Sequence, residues 1–344
     1  MSIFSNHLQY GKRFYRNGLI DLTDYSIEPA TADNKWDDFI AQSPERSIFV
    51  HSEFLQACGD PYALFWCFKQ KERVAAIAII LDHISGRPSL ETPVIYNGIF
   101  TGPPRYMQNV AQVRSDRFAL FCFLAEELSV KFPDLKLRLS PQIEDMRPFM
   151  WLNYDNNGPK FKITVRYTSI LELIDHSNIN DYRSEGYGRM STSRRQELRY
   201  ARKNGYLTTE KYDLVLLGQL IKETFERQNV VQNLREYNQH MAVIEHLHKK
   251  SMLRSFVCGI PGQEIDSMAV FGVLGNTACY LYGGGRVDRR KSNAGTAILW
   301  DAFQSLAASK IRFVDLEGVN SPARGYFKLS FGGSLTPYYI IELA

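Results

Sequence analysis

Apolar residues recur along this chain with two spacings. Where they return every three to four positions the pattern predicts helices. One covers Asp33 to Ser43, with Trp36, Phe39 and Ile40 on one face and Asp33 as N-cap; a second covers Ser52 to Ala57. A long third runs from Asn109 to Phe132, striped by Phe121, Leu124, Ala125, Leu128 and Phe132. Near-continuous apolar runs predict strands at Tyr62 to Lys69 and Arg73 to Asp82, joined by a tight turn, and a further strand at Lys136 to Ser140. Between them RPSLETPVIYNGIFTGPP, Arg87 to Pro104, is broken by proline and glycine. It reads as a loop-rich crossing with one short strand at Val94 to Tyr96, a candidate lip for a site.

At Asn153 the chain turns polar (NYDNNGPK), and the layout then repeats. Strands are expected at 162–173, 206–212, 253–258, 265–274, 276–284, 311–316 and 335–343. Helices are expected at 191–203, 214–228, 238–251, 294–308 and 321–328. Hairpins followed by a helix and a further strand, occurring twice, predict an α+β chain of two duplicated units, 1–155 and 156–344.

The composition fits this picture without sharpening it. Of 344 residues, 44% are hydrophobic and 23% charged, enough apolar surface for full cores, which excludes global disorder. The longest apolar runs, Val74 to Leu81 and Phe118 to Ala125, fall far short of the ~18 to 20 residues of a membrane-spanning helix. The N-terminus lacks the apolar core of a signal peptide, so a cytoplasmic protein is expected. Five scattered cysteines without a CxxC pair read as buried thiols rather than a disulfide framework or a zinc site. His240, His246 and His248 offer no i, i+4 pair, so no metal site is expected. A net charge of +4 argues against a whole-surface nucleic-acid binder and leaves room for a local basic patch.

Three stretches carry a family resemblance: SRRQELRYARKNG from Ser193, YLYGGGRVDRRKSNAGTAILWDA from Tyr280, and FVDLEGVNSPARGYFKLSFGG from Phe313. In this order and spacing the chain resembles the double-GNAT acyltransferases of the FemABX type. Its strongest element is FK followed by FGG, and SPERSIFVHSEFLQA and NGIFTGPP resemble the group's first domain. The resemblance implies two tandem GNAT-like domains, each a mixed, mostly antiparallel sheet flanked by helices. A cleft would lie between them, and the last strand would return toward the first domain. It also implies transfer of an aminoacyl group from tRNA to a peptidoglycan precursor, or of an acyl group from coenzyme A to an amine, sometimes on a nucleotide-linked amino sugar.

Acyl transfer to an amine requires removal of the amine proton and donors for the tetrahedral oxyanion. The resemblance assigns charge stabilisation to Lys328 in GYFKLSFGG; on composition alone it would be a surface lysine. Asp315 and Glu317, two residues apart at the end of an apolar strand, would share a face, with Glu317 the preferred base and Asp315 either a second carboxylate or a turn cap. Family members tend to carry a small or aromatic residue where Glu317 stands. The resemblance places His51 near the acceptor, while a lone histidine there is also an ordinary helix neighbour.

RRKSNAGTAILWDA resembles the pyrophosphate loop of coenzyme A-binding acetyltransferases, with Arg290, Asn293 and Gly295 at the pattern positions and asparagine in place of the first glycine. The alternative is a capped helix. Arg189, Arg194, Arg195, Arg199, Arg202 and Lys203 form the densest basic cluster, in which Arg194, Arg195 and Arg199 are candidates for phosphate and a solvated helix face is the alternative. Tyr96, Asn97, Tyr282, Arg324, Tyr326 and Phe327 lie in segments that the resemblance places near the cleft, as candidate substrate contacts. Gly283 to Gly285 permit either close approach to a ligand or a tight turn.

The expected function is therefore direct acyl transfer from acyl-CoA, as co-substrate, to the amine of a nucleotide-linked amino sugar in surface-polysaccharide synthesis, with no tightly bound cofactor. Aminoacyl transfer from tRNA to a cell-wall precursor is the alternative. It is weakened by the lack of a heptad-patterned helical hairpin between Thr209 and Leu253, and by Leu55, Gln56, Ala57 and Cys58 standing after Phe54 where some relatives have a lysine. A non-catalytic binding module is the third reading.

Overall fold

The computed structural model describes residues 22–173, 184–227, 233–286 and 292–344, together with a two-residue pair of strands, β1 (Phe14–Tyr15) and β2 (Gly18–Leu19). The rest of the fold is two mixed layers of sheet and helix. A four-stranded antiparallel sheet has the order β3 (Tyr25–Pro29), β4 (Tyr62–Lys69), β5 (Glu72–Ile80), β6 (Gly98–Thr101). The apolar run of β5 is unbroken because both faces of the strand are covered. Ala76, Ala78 and Ile80 pack with Trp36 and Ile40 of α1 (Asn34–Gln42), whereas Ala75, Ile77 and Ile79 pack with Phe121, Leu124 and Leu128 of α3 (Val110–Lys131). Asp33 caps α1 as its position suggests, accepting from the Lys35 and Trp36 N–H groups at 2.9 and 3.0 Å.

The second sheet has eight strands in the order β7 (Lys136–Arg138), β14 (Ser334–Leu343), β8 (Phe161–Glu172), β13 (Phe313–Asp315), β12 (Thr277–Gly285), β11 (Ile265–Leu274), β10 (Leu253–Gly259), β9 (Leu207–Glu210). Every neighbouring pair is antiparallel except β12 with β13. One face packs on α9 (Ala294–Ala308), where Phe303 meets Phe271. The other packs on α7 (Leu214–Arg227) and α8 (Leu234–Lys249), through Leu217, Leu220 and Ile244 against Met268, Val270 and Leu281. Shorter helices complete the chain: α2 (Ser52–Cys58), α4 (Arg147–Met150), α5 (Glu185–Arg189), α6 (Thr192–Lys203) and α10 (Pro322–Leu329).

The strand expected at Val94 to Tyr96 forms instead at β6, four residues later, because Gly98 to Thr101 pair with Ala75 to Ala78. Neither β3 nor the early start of α8 at Leu234 was expected. The α8 start is set by Asn233, whose side chain accepts from the Arg235 N–H at 3.0 Å. The sheets also do not divide at the polar stretch after Asn153. β7 precedes it, yet joins the eight-stranded sheet through β14, with Leu137 opposite Ile341.

Candidate functional site

The eight-stranded sheet splits in its middle. β12 and β13 pair only over Thr277 to Cys279 and Phe313 to Asp315, and β13 pairs with β8 only over Ile170 to Glu172. Past that point β12 continues for six residues, Tyr280 to Gly285, without a strand partner on that side. The chain after Asp315 enters the opening. Leu316 donates its N–H to the Ser169 carbonyl at 2.9 Å, and the Asn320 side chain pairs with both backbone groups of Tyr167 at 2.8 and 2.9 Å, standing in for a missing strand.

Asp315 anchors this turn. Its carboxylate is buried and accepts from the Tyr96 hydroxyl at 2.9 Å, from the Glu317 N–H at 2.7 Å and from the Thr168 hydroxyl. Burial raises its pKa, and these donors together with Lys328 oppose the rise. Asp315 and Glu317 therefore do not share a face: β13 ends at Asp315, and Glu317 takes a left-handed backbone (φ 53°) that turns its side chain toward the opening. Burial pushes the Glu317 carboxyl up to about 8; Lys328 pulls it down and Asp315 adds to the rise. Cys279 donates its S–H to Glu317 at 3.1 Å. Lys328, on α10, is shifted the opposite way. Burial lowers its pKa against the attraction of Glu317 and Asp315, and Nζ lies 5.3 Å from the centre of the Tyr280 ring.

Glu317 and Lys328 line a cavity of about 1170 Å³. Ligand pockets usually measure about 300 to 1,000 Å³, so the volume has room for two reactants. Its walls are the unpaired length of β12, the loop around Leu90 to Ile95, α8, α10, the first turn of α9, and one face of β7, β14 and β8.

Of the residues expected to bind substrate, Tyr282, Arg324 and Phe327 line this cavity. Arg324, Phe327 and Lys328 follow the i, i+3, i+4 spacing of one α10 face, while Tyr326 points outward at 66% exposure. Tyr96 and Asn97 are buried away from the cavity. Tyr96 supports Asp315 from beneath, and Asn97 accepts from the Arg138 N–H at 2.7 Å, tying the lead-in of β6 to β7. His51 lies outside the cavity as the cap of α2, its Nδ1 accepting from the Glu53 N–H at 3.3 Å and lying 3.6 Å from Asp37.

The basic helix α6 is also turned to structural use. Arg194 bonds Glu197 and the Thr296 hydroxyl and lies 4.9 Å from the Phe327 ring centre, fastening α6 to α9. Arg195 lies against Tyr187 and bonds Thr192 at 3.4 Å, and Arg202 pairs with Asp301. Arg199 is exposed, and none of these arginines lines the cavity. The carboxylate that neutralises Arg202 comes from a helix a hundred residues away, which a one-signed run in the sequence conceals.

The N-terminus of α9 does open on the cavity, through Ser292, Ala294 and Gly295. Asn293 adopts the left-handed conformation (φ 61°) expected where asparagine replaces glycine, and its carbonyl accepts the Thr296 and Ala297 N–H groups at 3.1 Å each. The Ala294 N–H is taken up by the Ser292 hydroxyl at 3.2 Å, so what this helix N-terminus offers a phosphate is the positive end of the α9 dipole and the open flank of Gly295. Arg290 lies outside the described residues. Packing accounts for two of the three glycines in the run: a Cβ on Gly284 would lie 2.9 Å from the Leu220 backbone of α7, and one on Gly283 would meet the Tyr280 hydroxyl.

Among the cavity residues that escaped the sequence reading as site residues are Arg138, Arg166, Asn320 and His240. His240 was weighed only as a metal ligand. It stands 4.6 Å from Tyr282, ring centre to ring centre, with its pKa pushed down to about 4 by burial. The alternation of KLRLS was the one available signal for Arg138, placing it opposite Leu137 and Leu139.

The chain is similar in structure to FemX, with a TM-score of 0.65 and 12% identity over 91% of this chain and 96% of that one. It is similar to a conserved protein of unknown function from Bacteroides thetaiotaomicron VPI-5482, with a TM-score of 0.56 and 13% identity over 92% and 99% of the two chains. A tandem GNAT protein from the clavulanic acid biosynthesis pathway aligns with a TM-score of 0.53 and 11% identity over 93% and 98%. No family model and no curated protein matches the sequence. The fold is thus α+β and FemABX- and GNAT-like, with two sheets flanked by helices. Among the described residues no helix is long and apolar enough to cross a membrane.

Proposed function

We propose that this protein is an N-acyltransferase that moves an acyl group from acyl-CoA to the amine of a nucleotide-linked amino sugar, in a direct transfer without a covalent enzyme intermediate. The observation that carries this reading is that Glu317 and Lys328, which bear on each other electrostatically, both line the cavity at the split of the sheet, a space large enough for both reactants. A carboxyl whose pKa is raised to about 8 is matched to an amine's proton better than an ordinary glutamate. The amine nitrogen attacks the thioester carbonyl, the C–N bond forms, and Glu317 takes the ammonium proton. The C–S bond then breaks, and the thiolate leaves with the electron pair and is protonated on release. On this reading Lys328 and the N–H groups on the unpaired edge of β12 would stabilise the developing oxyanion. The α9 N-terminus would take the coenzyme A phosphates, with Asn293 and Gly295 shaping the turn. On this reading Tyr282, Arg324 and Phe327 contact the substrates.

Aminoacyl transfer from tRNA to a cell-wall precursor uses the same amine chemistry. It is favoured by one feature: Lys203 remains exposed at the end of α6, where a polyanion could reach it. Calorimetric titration with coenzyme A, in low and moderate salt, separates the two. Binding that persists in moderate salt, followed by acylation of nucleotide-linked amino sugars seen by mass spectrometry, supports the proposal. Failure to bind coenzyme A overturns the acyl-CoA reading and favours the tRNA donor.

A further inference from the structure

Besides the α9 N-terminus, the cavity has a second cationic wall. The face formed by β7, β14 and β8 carries Arg138 and Arg166 on opposite sides of β14: Arg138 pairs across with Ile340 and Arg166 with Tyr338, and all four residues line the cavity. Arg138 is fixed in place. Its guanidinium donates to the Val94 carbonyl at 3.0 Å and the Leu90 carbonyl at 2.9 Å, and a longer contact reaches the Ile95 carbonyl at 3.5 Å. These are neutral acceptors and leave its charge uncompensated. Arg166 is exposed to the cavity, and its guanidinium makes no hydrogen bond or ion pair with any described residue. The two charges repel each other across the strand. The carboxyl that bears on Arg138 is Glu317, which makes no hydrogen bond or ion pair with it and whose pKa burial pushes up to about 8. Two like charges facing one space without a paired carboxylate is a costly arrangement unless an anion enters between them.

We infer that Arg138 and Arg166 form an anion-binding subsite for the acceptor, so that the amine delivered to Glu317 belongs to a molecule that also carries an oxyanion, a phosphate or a carboxylate. Arg138 supplies a fork held by backbone carbonyls and Arg166 an exposed one without side-chain partners. This rests on the proposed amine acylation for its role in the reaction. The binding itself stands apart from that reading, because the α9 N-terminus lies on another wall of the cavity.

The test is calorimetric titration of the full chain at low salt with inorganic pyrophosphate and, separately, with succinate. Both are repeated on Arg166→Gln, Arg166→Lys and, as a control for general surface charge, Arg199→Gln. The expected result is binding of at least one probe, weakened tenfold or more in Arg166→Gln, partly restored in Arg166→Lys and unchanged in Arg199→Gln. Pyrophosphate preference assigns a phosphate-bearing acceptor, and succinate preference a carboxylate-bearing one. Absence of binding by the wild-type chain, or equal loss in Arg199→Gln and Arg166→Gln, overturns the subsite. Coenzyme A titrated into the same proteins keeps the two ideas apart. If coenzyme A fails to bind while the Arg166-dependent anion binding persists, the donor assignment falls and the subsite stands.

Discussion

Replacing Glu317 by glutamine should make the protein more stable and less active at once, and the size of both effects follows from its surroundings. In an unfolded chain the carboxyl titrates near 4.5; in the folded protein burial beside Asp315 moves it to about 8. Between those values the folded state holds a proton that the unfolded state has released, so stability falls as pH rises from about 4.5 to about 8. At ~1.4 kcal/mol per pH unit the loss is on the order of 3 to 5 kcal/mol. Glutamine keeps the shape and does not titrate. For a chain of 344 residues, with an unfolding entropy of ~2.1 cal/mol/K per residue, the variant's Tm should gain about 4 to 7 °C on the wild type between pH 5 and pH 8. Above about pH 8, where the wild-type carboxylate is ionised, kcat of the variant should be lower by about 10² to 10⁴, the usual contribution of a positioned base, and the gap should close as pH falls. Wild-type activity should climb with pH and level off above about 8. Thermal unfolding of both proteins at pH 5, 6, 7 and 8 reads the first effect, and initial rates read the second. Tm curves that run parallel from pH 5 to pH 8 would refute the reasoning, since Glu317 would then be an ordinary carboxylate.

Three further outcomes are expected. Lys328→Met should lower kcat by about 10² to 10³ with little change in donor affinity, the cost of losing one stabiliser of the developing oxyanion, as measured by steady-state kinetics. Gly284→Ala should destabilise the fold by about 1 to 3 kcal/mol in denaturant titration, because its methyl group would lie 2.9 Å from the Leu220 backbone in a strand that cannot withdraw from α7. His51→Ala should cost about 1 kcal/mol of stability through loss of the α2 cap and leave kcat unchanged, since the imidazole lies outside the cavity.

Local elements were largely legible because their causes are local. The apolar run of β5, the Asp33 cap and the stripe of α3 are each patterns among residues within a turn or a strand of one another, although the helices that cover β5 come from about 40 residues away on either side. Lys328 and Glu317 were found through a motif and a strand end. The inference that Asp315 and Glu317 share a face failed because strand alternation stops at Asp315, where Thr168, Tyr96 and the Glu317 N–H take up its carboxylate. Two of those three donors come from segments about 150 and 220 residues away. The basic run of α6 misled for the same reason, since Asp301 is remote in sequence and adjacent in space.

Periodicity, caps and composition therefore settled that the chain forms an α+β fold and where most of its helices and strands lie, because backbone hydrogen bonding and one-sided burial are set by near neighbours. Long-range packing settled the rest: that β7 joins the far sheet through β14, that the sheet opens past Cys279, and that Arg138 and Arg166 face one cavity. The pKa of Glu317 belongs to the same class, because desolvation depends on everything that excludes water from a group, and those residues come from the whole length of the chain.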